Sequence, residues 1–255
     1  MRVVVVGDSC RDVFVYGAVD RICPEGPVPV LKKDWEKGNN GMAMNVVTNL
    51  QSLGNEVKWI TNENIITKTR YVDERSNQLL LRVDDNDSCD RVEKDILYSV
   101  RNNNYDGFEF DALIIADYDK GFLEEDDIAY LCQNNTNVFI DTKKQIEHYM
   151  GECSYIKINE IEWKQLRNFG STSWYDTKTI VTLGGRGCRF NNKHYTTENV
   201  TGGDVSGAGD TFMAALVTEY IKTNKIDDAI KYALKAATAV VKKSGVSIIN
   251  SEDIK

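Results

Sequence analysis

At 255 residues with 42% hydrophobic side chains, the chain is long enough to bury a substantial core, and its length suits one α/β domain (residues 1–255) with a small appendage. A net charge of −8 without a Lys/Arg cluster argues against a nucleic-acid surface, and six scattered cysteines with only two histidines argue against a zinc site or a Cys/His nucleophile. The apolar run at residues 3–6 is too short for a signal peptide and no stretch is long enough to span a bilayer, so the expected setting is the reducing cytoplasm with no membrane partner.

Residues 3–6 form a β-branched run ending in Gly7-Asp8, as a strand buried on both faces of a parallel sheet begins. The Gly-x-Gly-x-x-Gly of a dinucleotide-binding turn does not follow, and Asp12 stands just beyond as a turn carboxylate or a ligand group. Residues 13–35 alternate apolar and polar positions, and all three prolines, Pro24, Pro27 and Pro29, lie there, which predicts an edge or a small separate sheet. A Gly/Asn-rich stretch from Gly38 turns helical through Val46, Leu50 and Leu53, with Asn45 free to cap that helix or to bind a ligand. Two alternating runs at residues 69–72 and 78–83 predict a hairpin, which with residues 13–35 would complete a small β lid made of segments 13–35 and 68–84. Asp84-Asp85-Asn86-Asp87 lacks the EF-hand glycine and glutamate and reads as a solvated turn.

Residues 92–102 suit a helix, and residues 112–116 are a second buried strand ending in Asp117-Tyr118-Asp119-Lys120-Gly121. Lys120, past a strand's carboxyl end, is placed either for phosphate or for the surface. Residues 138–140 repeat the arrangement before Asp141-Thr142-Lys143, and residues 155–158 do so before Asn159-Glu160-Ile161-Glu162. A last main strand at residues 179–183 meets Gly184-Gly185-Arg186-Gly187, which alone would pass for a hairpin turn, and residues 229–243 are helical and Ala-rich. Strands alternating with helices predict a doubly wound, mostly parallel α/β sheet with a small β lid.

Asp204-Val205-Ser206-Gly207-Ala208-Gly209-Asp210-Thr211-Phe212 carries the chemistry. Glycines just before a helix let backbone N–H groups converge, and the unpaired N–H groups of the first turn favour an anion, most often phosphate. Asp210, in that first turn, would repel the anion, but it can accept a proton from a hydroxyl attacking phosphorus. The plainer alternative is a loop with a helix-capping Asp.

The spelling of this stretch resembles the C-terminal signature of the ribokinase, or PfkB, family of ATP-dependent sugar kinases. The resemblance implies a ribokinase-like fold, Asp210 as catalytic base, the Gly207, Ala208 and Gly209 amides as anion hole, and ATP as phosphoryl donor. Gly41-Met42-Ala43-Met44-Asn45 is similar to the family's N-terminal signature; it aligns Asn45 with the sugar-binding Asn and puts Met42 where a glycine is usual. Asp12 falls where the family holds sugar hydroxyls, and Arg70 of the hairpin goes with the substrate. Tyr16-Gly17 and Arg21-Ile22-Cys23-Pro24-Glu25-Gly26-Pro27-Val28-Pro29-Val30 resemble the lid of one branch, the D-glycero-D-manno-heptose 7-phosphate kinases, which would put Lys120 at the sugar-phosphate end. Asn159 and Glu162 look like the family's Asn-x-x-Glu element, whose Glu orders water on Mg²⁺, and Thr182, Gly184, Gly187 and Gly245 go with the nucleotide. The chain is short at residues 55–67, where the family fits a further strand and helix, and Thr142, Lys144 and Lys157-Ile158 depart from its pattern. The resemblance also implies a homodimer clasped through the lid, whose alternating strands have one face for the site and one to spare. A sugar-phosphate-binding or regulatory protein without turnover, and a kinase of another sugar or a nucleoside, stay open as alternatives.

Overall fold

The computed structural model describes residues 1–167, 173–198, 206–243 and 248–254. Its elements in chain order are β1 (Arg2–Gly7), β2 (Ser9–Ile22), β3 (Pro29–Met42), α1 (Ala43–Ser52), β4 (Glu56–Thr61), β5 (Ile66–Asp73), β6 (Gln78–Asp85) and α2 (Lys94–Tyr98). Then come the two-residue strands β7 (Asn104–Tyr105) and β8 (Phe108–Glu109), β9 (Ala112–Asp117), α3 (Glu125–Asn134), β10 (Val138–Thr142), β11 (Tyr155–Asn159) and α4 (Glu160–Arg167). The chain continues through α5 (Ser173–Asp176), β12 (Thr179–Thr182), β13 (Cys188–Phe190), β14 (Lys193–Tyr195), α6 (Ala208–Thr223) and α7 (Ile226–Val241).

The main sheet has eight strands in the order β14-β13-β12-β11-β10-β9-β1-β4, parallel from β12 to β4 and antiparallel at β13 and β14. Its central strands are apolar at successive positions because both faces are covered. Val3, Val5, Ile114 and Phe139 pack toward α1, α6 and α7, while Val4, Val6, Leu113, Ile115 and Ile140 pack toward α2 and α3 on the other face. This two-sided burial is the doubly wound α/β architecture that the alternation of elements predicted. Among the described residues no helix is long and apolar enough to cross a membrane.

The second sheet, ordered β3-β2-β5-β6, forms the lid. Its strands are longer than the sequence suggested: β2 leaves the end of β1 after a single residue, Asp8, and the Gly/Asn-rich stretch from Gly38 closes β3 before α1 begins at Ala43. The prolines fall in the turn between β2 and β3 and at the first residue of β3, an edge strand, where a missing N–H costs no ladder bond.

Two other expectations are corrected. Residues 55–67 do contain a strand, β4, paired in parallel with β1 at the sheet edge; no helix separates it from β5, and Trp59 and Ile65 stand 45% and 69% exposed on that side. The helix expected over residues 92–102 is only α2, of five residues; Asn102 and Asn103 take positive φ angles of 52° and 53°, which a helix cannot continue.

Candidate active site

The carboxyl ends of β9 to β12 and the start of α6 meet the lid around a cavity of about 890 Å³. Ligands in open α/β sheets bind beyond the carboxyl ends of the strands for this reason: the loops diverge there and leave a crevice.

The N-cap of helix α6 is Gly207, whose φ of 78° is left-handed and suited to glycine, and among the described residues no side-chain cap is formed there. Gly207, Ala208, Gly209 and Asp210 all line the cavity, so uncapped first-turn N–H groups lie along its wall. Close by, the Lys157 ammonium lies 3.0 Å from where a Cβ on Gly209 would stand. Lys157 and Asp141 are register partners on β11 and β10 and form a buried ion pair.

Asp210 is buried, and both of its oxygens accept hydrogen bonds: Oδ2 from Asn45 Nδ2 at 2.7 Å and Oδ1 from the Tyr118 hydroxyl. Burial pushes its pKa up to about 6, with the Tyr118 and Asn45 donors opposing the rise, the Asp141 charge adding to it and Lys157 opposing it. A carboxylate with a pKa near neutrality is suited to accept a proton in that range. Asn45 does not cap its helix; Met42 occupies the N-cap position of α1, and the Asn45 side chain crosses to α6. Asn49 extends this link by donating to the Asn45 carbonyl at 2.8 Å and accepting from Thr211 Oγ1 at 3.1 Å.

On the lid side, Asp12 pairs with Arg70, and both line the cavity. A Cβ on Gly41 would stand 2.2 Å from Asp12 Oδ2, so only glycine leaves that carboxylate its place. Met42 keeps a glycine-like backbone, with φ 55° and ψ −133°, a conformation that costs a side-chain-bearing residue ~1–3 kcal/mol and clusters at functional sites.

The cavity thus brings together a carboxylate at a helix start, a lysine beside that start and a second carboxylate under the lid, groups that can take a hydroxyl proton and neutralise a phosphoryl group. The family model described as pfkB family carbohydrate kinase matches residues 60–253. The chain belongs to this family of ATP-dependent carbohydrate kinases. Among curated proteins it is 31% identical to the "Bifunctional protein HldE" of Nitratiruptor sp. and 28% identical to that of Helicobacter pylori; each match covers 99% of this chain, against 64% and 66% of those proteins. The chain therefore spans about two thirds of the length of these relatives. In fold it is similar to a Thermotoga maritima ribokinase (TM-score 0.72, 17% identity, 99% of this chain and 97% of that one). It is also similar to Escherichia coli phosphofructokinase-2 (TM-score 0.71, 13% identity, 99% and 96%) and to an Arabidopsis thaliana ribokinase complexed with ribose and ATP (TM-score 0.67, 14% identity, 99% and 96%). The ribokinase-like fold expected from the sequence is the one present.

At the other end of this kinase's cavity, Thr182, Gly184 and Gly187 line the wall with Leu234, Ala237 and Val241 of α7. The Gly184 to Gly187 turn joins β12 to antiparallel β13, as a hairpin turn does, and also borders the cavity. Gly187 has φ 89°, and a Cβ there would meet the Tyr195 carbonyl oxygen at 1.9 Å. Gly245, Asp204 and Val205 lie outside the described residues.

Asn159 lines the cavity, whereas Glu162 does not; the two form a capping box at the start of α4. Asn159 Oδ1 accepts the Glu162 N–H at 2.9 Å, and Glu162 Oε2 accepts the Asn159 N–H at 2.7 Å. Glu162 Oε1 also pairs with Lys143, a cavity residue whose pKa, though lowered by burial, is raised overall by Asp141 and Glu162. Among the described residues no cluster of three His, Cys, Asp or Glu side chains could ligate a metal directly. One engaged carboxylate fits Mg²⁺ held among phosphates through water, and does not fit an ion caged by the protein.

Lys120 is not brought into the cavity; its ammonium pairs with Asp87 in the turn after β6. Three lid cations occupy that end instead. Lys68 and Arg70 lie two apart on β5, and Arg82 on β6 is the direct register partner of Arg70; all three line the cavity. The sequence reading missed Lys68, Arg82, Tyr118 and Lys157. The signal for the first two was present in the alternation of residues 68, 70 and 82 along the hairpin, whereas Tyr118 and Lys157 are placed by contacts between distant segments.

Proposed function

We propose that the protein transfers the γ-phosphoryl group of ATP to a hydroxyl of a sugar phosphate, most closely a heptose 7-phosphate. The observation that carries the anionic acceptor is the cation cluster Lys68, Arg70 and Arg82. Arg70 and Arg82 face each other directly across strands, and like charges so placed repel unless an anion lies between them. Arg70 is paired with Asp12 and Arg82 with Asp84, but Lys68, 8% exposed, forms no ion pair with a carboxylate among the described residues. Burial lowers its pKa, and a phosphate beside it would offset that cost. The resemblance of Tyr16-Gly17 and residues 21–30 to the lid of heptose 7-phosphate kinases points to the same acceptor class.

In this reading Asp12 and Asn45 orient the sugar, and Asp210 takes the hydroxyl proton as the sugar oxygen bonds to the γ-phosphorus and the bond to the ADP oxygen breaks. The Gly207, Ala208 and Gly209 amides and Lys157 face the transferred group and neutralise its charge. Glu162 and Asn159 would hold Mg²⁺ through water, which when bound supplies further charge neutralisation at the phosphates. The cytoplasmic setting expected from the sequence goes with this reading.

Lys68→Met should lower kcat/KM for a sugar phosphate by ~10–100-fold while changing the matching free sugar little, because a charged hydrogen bond is removed only for the anionic acceptor. A coupled ADP assay on paired acceptors checks this; equal losses for both acceptors would remove Lys68 from phosphate recognition.

We also propose a homodimer clasped through the lid. The face of the lid that carries Asp12 and Arg70 near the main sheet carries Phe14, Tyr16, Trp35, Val72 and Leu79 further out, with the Tyr16 and Trp35 rings stacked at 4.1 Å. The exposed part of that face, with Trp35 and Leu79, is one spare apolar surface, and Leu81, opposite Tyr71, stands exposed on the back. Trp35, Leu79 and Leu81 are 43%, 52% and 56% exposed. Light scattering at micromolar concentration should give a dimeric mass for the intact protein and a monomeric mass for the double variant Leu79→Lys, Leu81→Lys, since buried ammonium groups are not tolerated in an apolar contact. A monomeric intact protein would rule out the clasp.

A further inference from the structure

Asp8, the one residue between β1 and β2, is fully buried, and the reaction described above does not use it. Its Oδ2 accepts the Tyr118 N–H at 2.6 Å, and its Oδ1 accepts the Phe122 N–H at 3.3 Å and the Cys89 S–H at 3.6 Å. Its main-chain carbonyl accepts the N–H of Ala43 at 2.9 Å, the first residue of the helix that carries Asn45. The two side chains that donate to Asp210, the Tyr118 hydroxyl and the Asn45 amide, therefore both come from segments tied to this one residue.

We propose that Tyr118 is a positioning residue of phosphoryl transfer: with its main chain fixed by Asp8, its hydroxyl holds Oδ1 of Asp210, keeping the buried base ionised and aimed at the acceptor. The proposal rests on the reading of Asp210 as the base. A carboxylate taken out of water favours its protonated form, in which it is no base, and hydrogen bonds donated to the ionised form work against that. One donor on each oxygen still leaves a lone pair on each for the sugar hydroxyl. The Tyr118 hydroxyl is a dependable donor, because burial and the neighbouring carboxylate raise its own pKa well above the usual phenol value.

The other ionisable groups that act on Asp210 come from separate elements: Asp141 on β10, Lys143 just after it, Lys157 on β11 and Cys10 on β2. Tyr118→Phe leaves all of them in place, and it keeps the ring over which the Lys143 ammonium lies at 5.5 Å. The hydroxyl is thus the one group the substitution removes.

The test uses full-length protein labelled with ¹³C at the aspartate carboxyls, with the Asp210 resonance assigned from its loss in Asp210→Asn. In the parent protein that resonance should titrate near the pKa of about 6 set by its surroundings. In Tyr118→Phe the midpoint should rise by roughly one pH unit, and the acid limb of kcat/KM should rise with it, giving about fivefold lower activity at a pH of about 6 and little difference two units higher. An unmoved midpoint in folded Tyr118→Phe overturns the proposal even if the enzyme turns over. A raised midpoint in a protein that phosphorylates no acceptor supports the hold of Tyr118 on Asp210 and overturns the reaction assigned to the site.

Discussion

Asp210→Asn is expected to lower kcat by ~10²–10⁴-fold, the usual cost of removing a general base, while leaving ATP binding nearly intact. The substitution keeps the shape of the side chain but removes its charge and its ability to take a proton, and its NH2 group replaces one of the two oxygens that accept hydrogen bonds from Asn45 and Tyr118. Asp210 sits in the first turn of α6 on the cavity wall, with Asn45 and Tyr118 on its two oxygens. The other described carboxylates lining the cavity are engaged with cations: Asp12 with Arg70 under the lid, Glu160 with Lys164 and Arg186, and Glu198 with Lys242. The pH dependence follows from the same environment. Burial raises the pKa to about 6, and the working form is the ionised one, so activity is full above that value and falls about tenfold per unit below it. Single-turnover kinetics with isotopically labelled ATP, together with an equilibrium measurement of ATP binding, check both halves. A variant with the parent kcat would show that another group takes the proton.

Lys157→Met should fail in two separable ways. Removing one partner of a buried ion pair leaves Asp141 charged and unpaired, which costs ~3–5 kcal/mol of stability. Removing the cation beside the Gly207 to Gly209 amides should also lower kcat by ~10²–10³-fold, as loss of one donor to developing charge does. The double variant Lys157→Met, Asp141→Leu separates these effects, because an apolar replacement of the whole pair relieves the unpaired charge. Chemical denaturation should show stability returning in the double variant while the rate stays low. If the rate returned together with the stability, Lys157 would be a structural residue only.

The main sheet was legible because its central strands are buried on both faces, so β1, β9 and β10 carry unbroken apolar runs at residues 3–6, 112–116 and 138–140; in β11 Lys157 interrupts the run, and β12 keeps Ile180 and Val181 between two threonines. The edge strand β4 was harder to see: Glu56-Val57-Lys58-Trp59-Ile60-Thr61 alternates, and Trp59 stays exposed because no helix covers that flank. The first turn of α6 was also legible, since Gly207, Ala208 and Gly209 specify an open helix start by their own backbone preferences. What surrounds Asp210 was not, because it depends on register and approach rather than on local pattern. Asn45 reaches Asp210 across 165 residues, and Tyr118 does so across 92. Lys157 meets Asp141 only because β10 and β11 pair in one particular register. Lys120 had the right place after a strand to be a phosphate ligand, but Asp87 draws it aside, and the cations that do line that end come from the lid.

The central claim, that this cavity moves a phosphoryl group from ATP to a hydroxyl of a phosphorylated sugar, is tested most directly by ³¹P NMR. Intact protein would be incubated with ATP, Mg²⁺ and, in parallel, a heptose 7-phosphate, fructose phosphates and ribose. The account predicts loss of the γ-phosphate signal, formation of ADP and a new phosphate ester on a phosphorylated acceptor, with ribose a poor substrate. ATP left unchanged in the presence of every acceptor would contradict it and make the chain a sugar-phosphate-binding protein; transfer to ribose in preference to the sugar phosphates would contradict the role given to Lys68, Arg70 and Arg82.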